Sequence, residues 1–406
     1  MSSRTHPYLG QAFPGRSGWF DFLLGGFFVI AAWVLGQMLI GAPIGGIAAE
    51  LGLEEYREAA MAEIADMEPG EAVGMALGTL MEMLGAAMAF IGYLVARTVG
   101  GVGRIIGRVV AVIGVILCAA GIYFLLPFLS GGPAQQALMG EMFSRSALIY
   151  GIFAFSFIGA YAGAVLVQYF VHSRTFTSLV TAAADFRWSR LVWAGLLTWG
   201  VYGAGSVVSA VMGWGTYEAN PERARMLPFV IATLIAIPIQ ASAEELIFRG
   251  YLNQALARFV PSVLVVFALT SLVFGALHLA NPEVAAAEED GTFWLAFAGY
   301  ALFGFILSLV VWFDHGLEAA MGIHIANNMF AAIFVNYENS VLPIPGLFLT
   351  QSGGAVADVF SVVILLSIVC AGLWITRKPL VSRAQVLFDG PGAVRPAGET
   401  VEDTFA

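Results

Sequence analysis

Apolar runs long enough to cross a bilayer, each closed by a short polar stretch, repeat along almost the whole chain. They lie near 19–42, 73–96, 109–129, 148–171, 191–212, 227–248, 261–280, 293–313, 317–335 and 356–376. A helix needs ~20 such residues to cross ~30 Å of hydrocarbon. The runs are too long and continuous for barrel strands, and an isolated sheet would leave backbone groups unpaired in lipid. The pattern therefore predicts an all-α protein, a polytopic transmembrane helix bundle of about ten spans. The sixth helix could run on to about Arg258. The polar start leads straight into a full-length run, so no cleavable signal peptide is expected. No internal repeat is evident, which weakens an inverted-repeat transporter reading.

The polar connections orient the bundle. With ten alternating spans, Arg4, Arg16, Arg97, Arg104, Arg108, Arg174, Arg187, Arg190, Arg249, Arg258, Arg377, Lys378, Arg383 and Arg395 fall on one side. Only Arg57, Arg145, Arg223 and Arg225 of the 18 basic residues fall on the other. Basic loops stay inside, so both termini are expected in the cytoplasm. The first outer loop, 43–72, carries Glu50, Glu54, Glu55, Glu58, Glu63, Asp66, Glu68 and Glu71, and reads as a short acidic amphipathic helix. The Gly-rich loop from Arg97 to Arg108 lacks the strand context of a nucleotide motif and reads as a basic hairpin facing anionic lipid. The tail after Pro379 is polar and rich in Gly and Pro, and is expected to be disordered.

Composition agrees. The chain is 59% hydrophobic and 11% charged, against ~45–50% and ~25% for soluble domains. A net charge of −10 gives no sign of nucleic-acid binding. Cys118 and Cys370 each lie inside a span, so neither a disulfide framework nor a Cys-based zinc site is expected. We divide the chain into an N-terminal multi-span region (1–180), a core (181–340), an outer loop with the last span (341–378) and a polar tail (379–406). Spans one to five hold one obvious intramembrane acid, Glu82. Nearly all the polar chemistry lies in spans six to nine.

That chemistry sits in three short patterns. Glu244-Glu245 with Arg249 ends the sixth run, where an ionisable group costs at least ~2.5–3.5 kcal/mol to insert. Glu245 and Arg249 are spaced i and i+4, which suits an ion pair, while Glu244 points ~100° away to a different neighbour. Phe274 and His278 share a face in span seven. His324 and Asn328 share one in span nine, with Asn327 less favourably placed. Singly, each can be read as helix packing. Together they offer a carboxylate and a His to activate water, with a His and an Asn to stabilise an oxyanion. A Glu/His/His set could alternatively hold zinc with an open water position.

Glu-Glu-x-x-x-Arg, Phe-x-x-x-His and His-x-x-x-Asn, in this order on successive spans, resemble the CAAX-protease and bacteriocin-processing family (CPBP, or Abi) of intramembrane endopeptidases. The likeness covers roughly 185–335. It implies that Glu244 and His278 activate the attacking water, that His324 and Asn328 form the oxyanion site, that Glu245 and Arg249 support the geometry and that Phe274 lines the pocket. A metal-free scheme is favoured; the zinc alternative would use Glu244, His278 and His324. The implied partners are the lipid bilayer and a membrane-embedded or membrane-associated peptide or protein. The expected location is the bacterial cytoplasmic membrane. The alternative is a non-proteolytic scaffold or a proton-coupled transporter using the same polar cluster. One mismatch accompanies these expectations: Glu244 falls near the inner end of span six, but His278 near the outer end of span seven.

Overall fold

The structure, a computed structural model, describes residues 6–12, 15, 17–45, 51–66, 68–129, 133–279, 281–337, 340–351 and 355–377. Helix α1 (Trp19–Gly45) opens the bundle, and α2 (Glu54–Ala65) is the predicted acidic helix. Glu50 and the tail after Pro379 lie outside the described residues. Helices α3 (Pro69–Thr98) and α4 (Gly101–Leu129) form a hairpin. Glu68 and Glu71 close a capping box at the start of α3, with Pro69 in the first turn, where a missing N–H costs nothing. Gly92 and Gly107 lie so close to the facing backbone that no Cβ would fit, as expected where dispersion drives helix association in lipid. Helix α5 (Pro133–Arg145) packs on α2 through Met142, Leu138 and Ala60. The fourth run is broken into α6 (Ala147–Phe153) and α7 (Ile158–Leu166), then continues helically to Val171.

The second half holds α8 (Thr177–Val180), α9 (Trp188–Met212), β1 (Tyr217–Ala219), α10 (Met226–Glu245) and α11 (Asn253–Ala257). It continues with α12 (Val263–Leu277), α13 (Pro282–Glu289), α14 (Phe293–Asp314), α15 (Glu318–Met329), β2 (Val335–Tyr337), β3 (Phe348–Thr350) and α16 (Ala355–Ile375). Each predicted run is helical, and the all-α class holds. Among the described residues, seven helices are long and apolar enough to cross a membrane, or eight if the bent pair α12–α13 counts as one. The ninth and tenth runs fall outside that count: the apolar part of α16, Val359–Ile375, is shorter, and the ninth differs in kind. Helix α15 has 12 residues, too few to cross a bilayer alone, and packs among α9, α10 and α14. A small sheet, not anticipated from the sequence, ties the far ends of α9 and α15. In it β1 pairs antiparallel with β3 and β2 pairs parallel with β3.

The depth mismatch disappears because the sixth helix does run on, as the sequence allowed, to Ala257, while the seventh stops at Leu277. Helix α10 continues through a π-helical stretch, Leu246–Leu252, into α11, giving a run of 35 residues from Arg223 to Ala257. At 1.5 Å per residue Glu244 then lies roughly 20 Å from the Ala257 end. Helix α12 starts back from that end and stops at Leu277, roughly 22 Å away. It stops because Asn281-Pro282 starts a new helix, α13, bent by 86° from it. His278 therefore ends level with Glu244. The same extension removes Arg249 from the inner-loop charges: it is 1% exposed and lies inside the helix.

Charge anchors α15 at its first turn. Buried Glu318 accepts from Arg187 Nη2 at 2.7 Å, and Asp314 accepts from Arg190 Nε at 2.7 Å and lies 3.0 Å from Arg187 Nη2. Arg190 also donates to the Leu373 carbonyl at 2.7 Å, joining α16 to the same end. The N-terminal segment packs there too. Tyr8, Leu9 and Ala12 are fully buried, and Tyr8 donates to the Leu179 carbonyl at 2.5 Å.

His6 pins this segment. Its Nε2–H donates to the Trp312 carbonyl at 2.7 Å, and its Nδ1 accepts from the Leu9 N–H at 3.2 Å. Protonating Nδ1 would set two donors face to face. Burial above all, partly offset by the Trp312 carbonyl, lowers the His6 pKa to about 4. Since the unfolded value is higher, about 6.5, the segment is held fully above pH 6.5 and loses of order 3 kcal/mol as the pH falls to about 4. Protection of residues 6–12 from hydrogen exchange, measured against the intrinsic rate at each pH, is expected to fall as the pH drops across that window, and not in His6→Gln.

Candidate active site

Helices α10, α12, α14 and α15 meet around Phe274, which is 1% exposed. The His278 ring lies 4.4 Å from the Phe274 ring and the His324 ring 6.2 Å from it, while the Arg249 guanidinium covers Phe274 at 4.3 Å. The guanidinium is admitted by Gly304 of α14: a Cβ there would stand 3.0 Å from Arg249 Nη2. The cation–π contact is worth ~2 kcal/mol or more when desolvated.

Glu245 is completely buried, and its Oε1 accepts from Arg249 Nη1 at 3.0 Å and from His324 Nδ1 at 2.8 Å. Glu244, 8% exposed, accepts from the Gln240 amide through Oε1. Its Oε2 has no protein hydrogen bond and lies 3.7 Å from His324 Nε2. The two carboxylates were expected to face different neighbours, but both face His324, one at each ring nitrogen. The reason lies in α15, whose Gly322 packs against the Leu191 carbonyl of α9 and lets the short helix sink beside α10.

His278 Nδ1 contacts the Phe274 carbonyl at 2.7 Å, an acceptor only, so Nδ1 carries the proton and Nε2 the lone pair. The other face of the His278 ring stacks on Tyr300 at 4.4 Å and 25°. Tyr300 is held in turn by Glu283 and by the Asn281 amide at 2.9 Å. Asn328 donates to Gln240 Oε1 at 3.2 Å. The structure thus brings Glu244, Glu245, Arg249, Phe274, His278 and His324 together directly, and links Asn328 to them through Gln240. Sequence reasoning missed Gln240 and Tyr300. Gln240 carried a signal: it is polar within an apolar run and one turn before Glu244. Tyr300, in an aromatic-rich run, carried none.

Among the described residues no three His, Cys, Asp or Glu side chains group as metal ligands. The Nδ1 contacts of His278 and His324 leave the Nε2 atom of each ring for a further partner.

Fold and site together define an all-α integral membrane protein with a buried Glu–His cluster flanked by Asn and Gln. A family model described as Type II CAAX prenyl endopeptidase Rce1-like matches residues 225–330, which include every residue of this cluster. The uncharacterized protein YyaK of Bacillus subtilis (strain 168) is 32% identical over 248 residues, which cover 60% of this chain and 80% of YyaK. No solved structure matches. The chain belongs to the Rce1-like family of type II CAAX prenyl endopeptidases, and is a CAAX-protease-like membrane enzyme.

Proposed function

We propose that the protein is an intramembrane endopeptidase that hydrolyses peptide bonds of membrane-embedded or membrane-associated substrates, using Glu244, His278, His324 and Asn328. The observation that carries this reading is the close approach of Glu244 Oε2, which has no hydrogen-bond partner, to His324 Nε2. Glu244 Oε2 and His324 Nε2 stand 3.7 Å apart, with the His278 ring across Phe274. A water beside that gap can give its proton to Glu244 while His278 Nε2 accepts its second hydrogen. The hydroxide attacks the scissile carbonyl carbon. The carbonyl oxygen, now negative, takes hydrogen bonds from His324 Nε2–H and the second Asn328 amide hydrogen. Collapse breaks the C–N bond, and Glu244 returns its proton to the leaving amine.

Charge balance supports the roles. The roles require His324 to donate from both nitrogens, and in that form it would, with Arg249, offset Glu244 and Glu245. A buried cluster of zero net charge avoids the cost of an uncompensated ion. Depth supports a membrane-embedded or membrane-associated substrate: in this reading the scissile bond enters the helix bundle some 20 Å from the Ala257 end. We place the end that carries Arg97, Arg174, Arg187, Arg190 and Arg258 in the cytoplasm.

The test compares peptide termini in membranes that hold the wild-type protein or Glu244→Gln at matched levels. New termini found only with wild type are expected and would identify the substrate. Matching samples across several growth conditions would remove the proteolytic reading. With that substrate in hand, Tyr300→Phe, which keeps the stack on His278, is expected to cost less than tenfold in turnover, about one hydrogen bond. Tyr300→Leu frees the ring and is expected to cost more; equal losses would deny the stack a role.

A further inference from the structure

Four hydrogen bonds run from α9 to Glu244, and every donor points the same way. Tyr202 Oη donates to Asn327 Oδ1 at 3.0 Å, and Asn327 Nδ2 donates to Asn328 Oδ1 at 3.0 Å. Asn328 Nδ2 donates to Gln240 Oε1 at 3.2 Å, and Gln240 Nε2 donates to Glu244 Oε1. We propose that Tyr202, Asn327 and Gln240 are positioning residues, forming a one-way donor chain that fixes the Glu244 carboxylate and the amide orientation of Asn328. This rests on the roles assigned to Glu244 and Asn328 above.

The direction of the chain is set at its Glu244 end. A carboxylate only accepts, so Gln240 presents its NH₂ to Glu244 and its carbonyl to Asn328. Asn328 then has to present its Oδ1 to Asn327 and Asn327 its Oδ1 to Tyr202, where the phenol, able to donate or accept, donates. Reversing either Asn amide would set donor against donor or acceptor against acceptor, although the two orientations have nearly the same shape. The carboxylate end therefore leaves one arrangement, and the phenol completes it. It aims one Asn328 hydrogen at Gln240 and leaves the other for an oxyanion. Away from water such bonds polarise one another, so a change at Tyr202 reaches Glu244. The support is local. The Tyr202 ring packs edge-on to Phe330 at 5.6 Å, and Trp199 Nε1 donates to the Ala326 carbonyl at 2.9 Å, which holds α9 against α15 without the phenol.

The experiment uses Tyr202→Phe, Gln240→Leu and the double variant in the full chain. Tyr202→Phe is expected to lower kcat about tenfold with KM unchanged, and Gln240→Leu to lower it further. The double variant is expected to match Gln240→Leu, because the chain is already cut. Losses that multiply, as for independent sites, would overturn the chain. A second readout does not need turnover: the infrared carboxylate band lost in Glu244→Gln is expected to shift in Tyr202→Phe. A shift in a protein that cleaves nothing would sustain the chain and remove the proteolytic reading. An unshifted band overturns the chain whatever the kinetics. Should Tyr202→Phe not fold, Asn327→Asp replaces it: the new side chain accepts from Tyr202 but cannot donate to Asn328, and the same shift is expected.

Discussion

Glu244→Gln is expected to abolish turnover while leaving the protein folded. The amide can still accept from Gln240 through its oxygen, so packing around the site is kept. What it loses is the ability to take a proton from water, a contribution of ~10²–10⁴-fold to rate. Cleavage kinetics and thermal unfolding of the purified variant check both halves. A folded Glu244→Gln protein that cleaves at the wild-type rate would remove Glu244 from the chemistry.

Arg249→Ala is expected to act on stability instead. It strands Glu245, which is completely buried and keeps only His324 as a partner. Breaking a buried ion pair from one side costs about 3–5 kcal/mol. Phe274 also loses the guanidinium that covers it at 4.3 Å. Adding Glu245→Gln to Arg249→Ala removes the stranded charge and is expected to recover part of the loss, since the amide oxygen still accepts from His324 Nδ1. Unfolding in detergent measures both. If Arg249→Ala proved as stable as wild type, the pair would not be the keystone of the site.

Much of this site was legible in the chain because the membrane makes polar residues conspicuous. Glu244, Glu245, Arg249, His278, His324 and Asn328 interrupt apolar runs, and i, i+4 spacing paired Glu245 with Arg249 as the structure has them at 3.0 Å. The same logic failed where polar residues lay in ordinary company. Tyr300 is one aromatic among several, and Asn327 was discounted on spacing although it joins Tyr202 to Asn328. The π-helical stretches at Leu246–Leu252, which holds Arg249, and at Phe330–Phe334, just past Asn328, have no periodic signature in the chain. Wide turns of this kind recur at functional sites because they re-aim side chains.

The sequence by itself determined the all-α membrane class, the helical runs and the residue types available for chemistry. Hydropathy and the cost of charge in lipid act on each segment separately, so one segment suffices to read them. Only the tertiary structure decided how those residues meet. Where α10 and α12 end sets the common depth of Glu244 and His278, and the burial of the short α15 turns both carboxylates towards His324. Those outcomes depend on close approach between helices distant in the chain, at Gly322 and Gly304, and no pattern within one helix encodes its neighbour's distance.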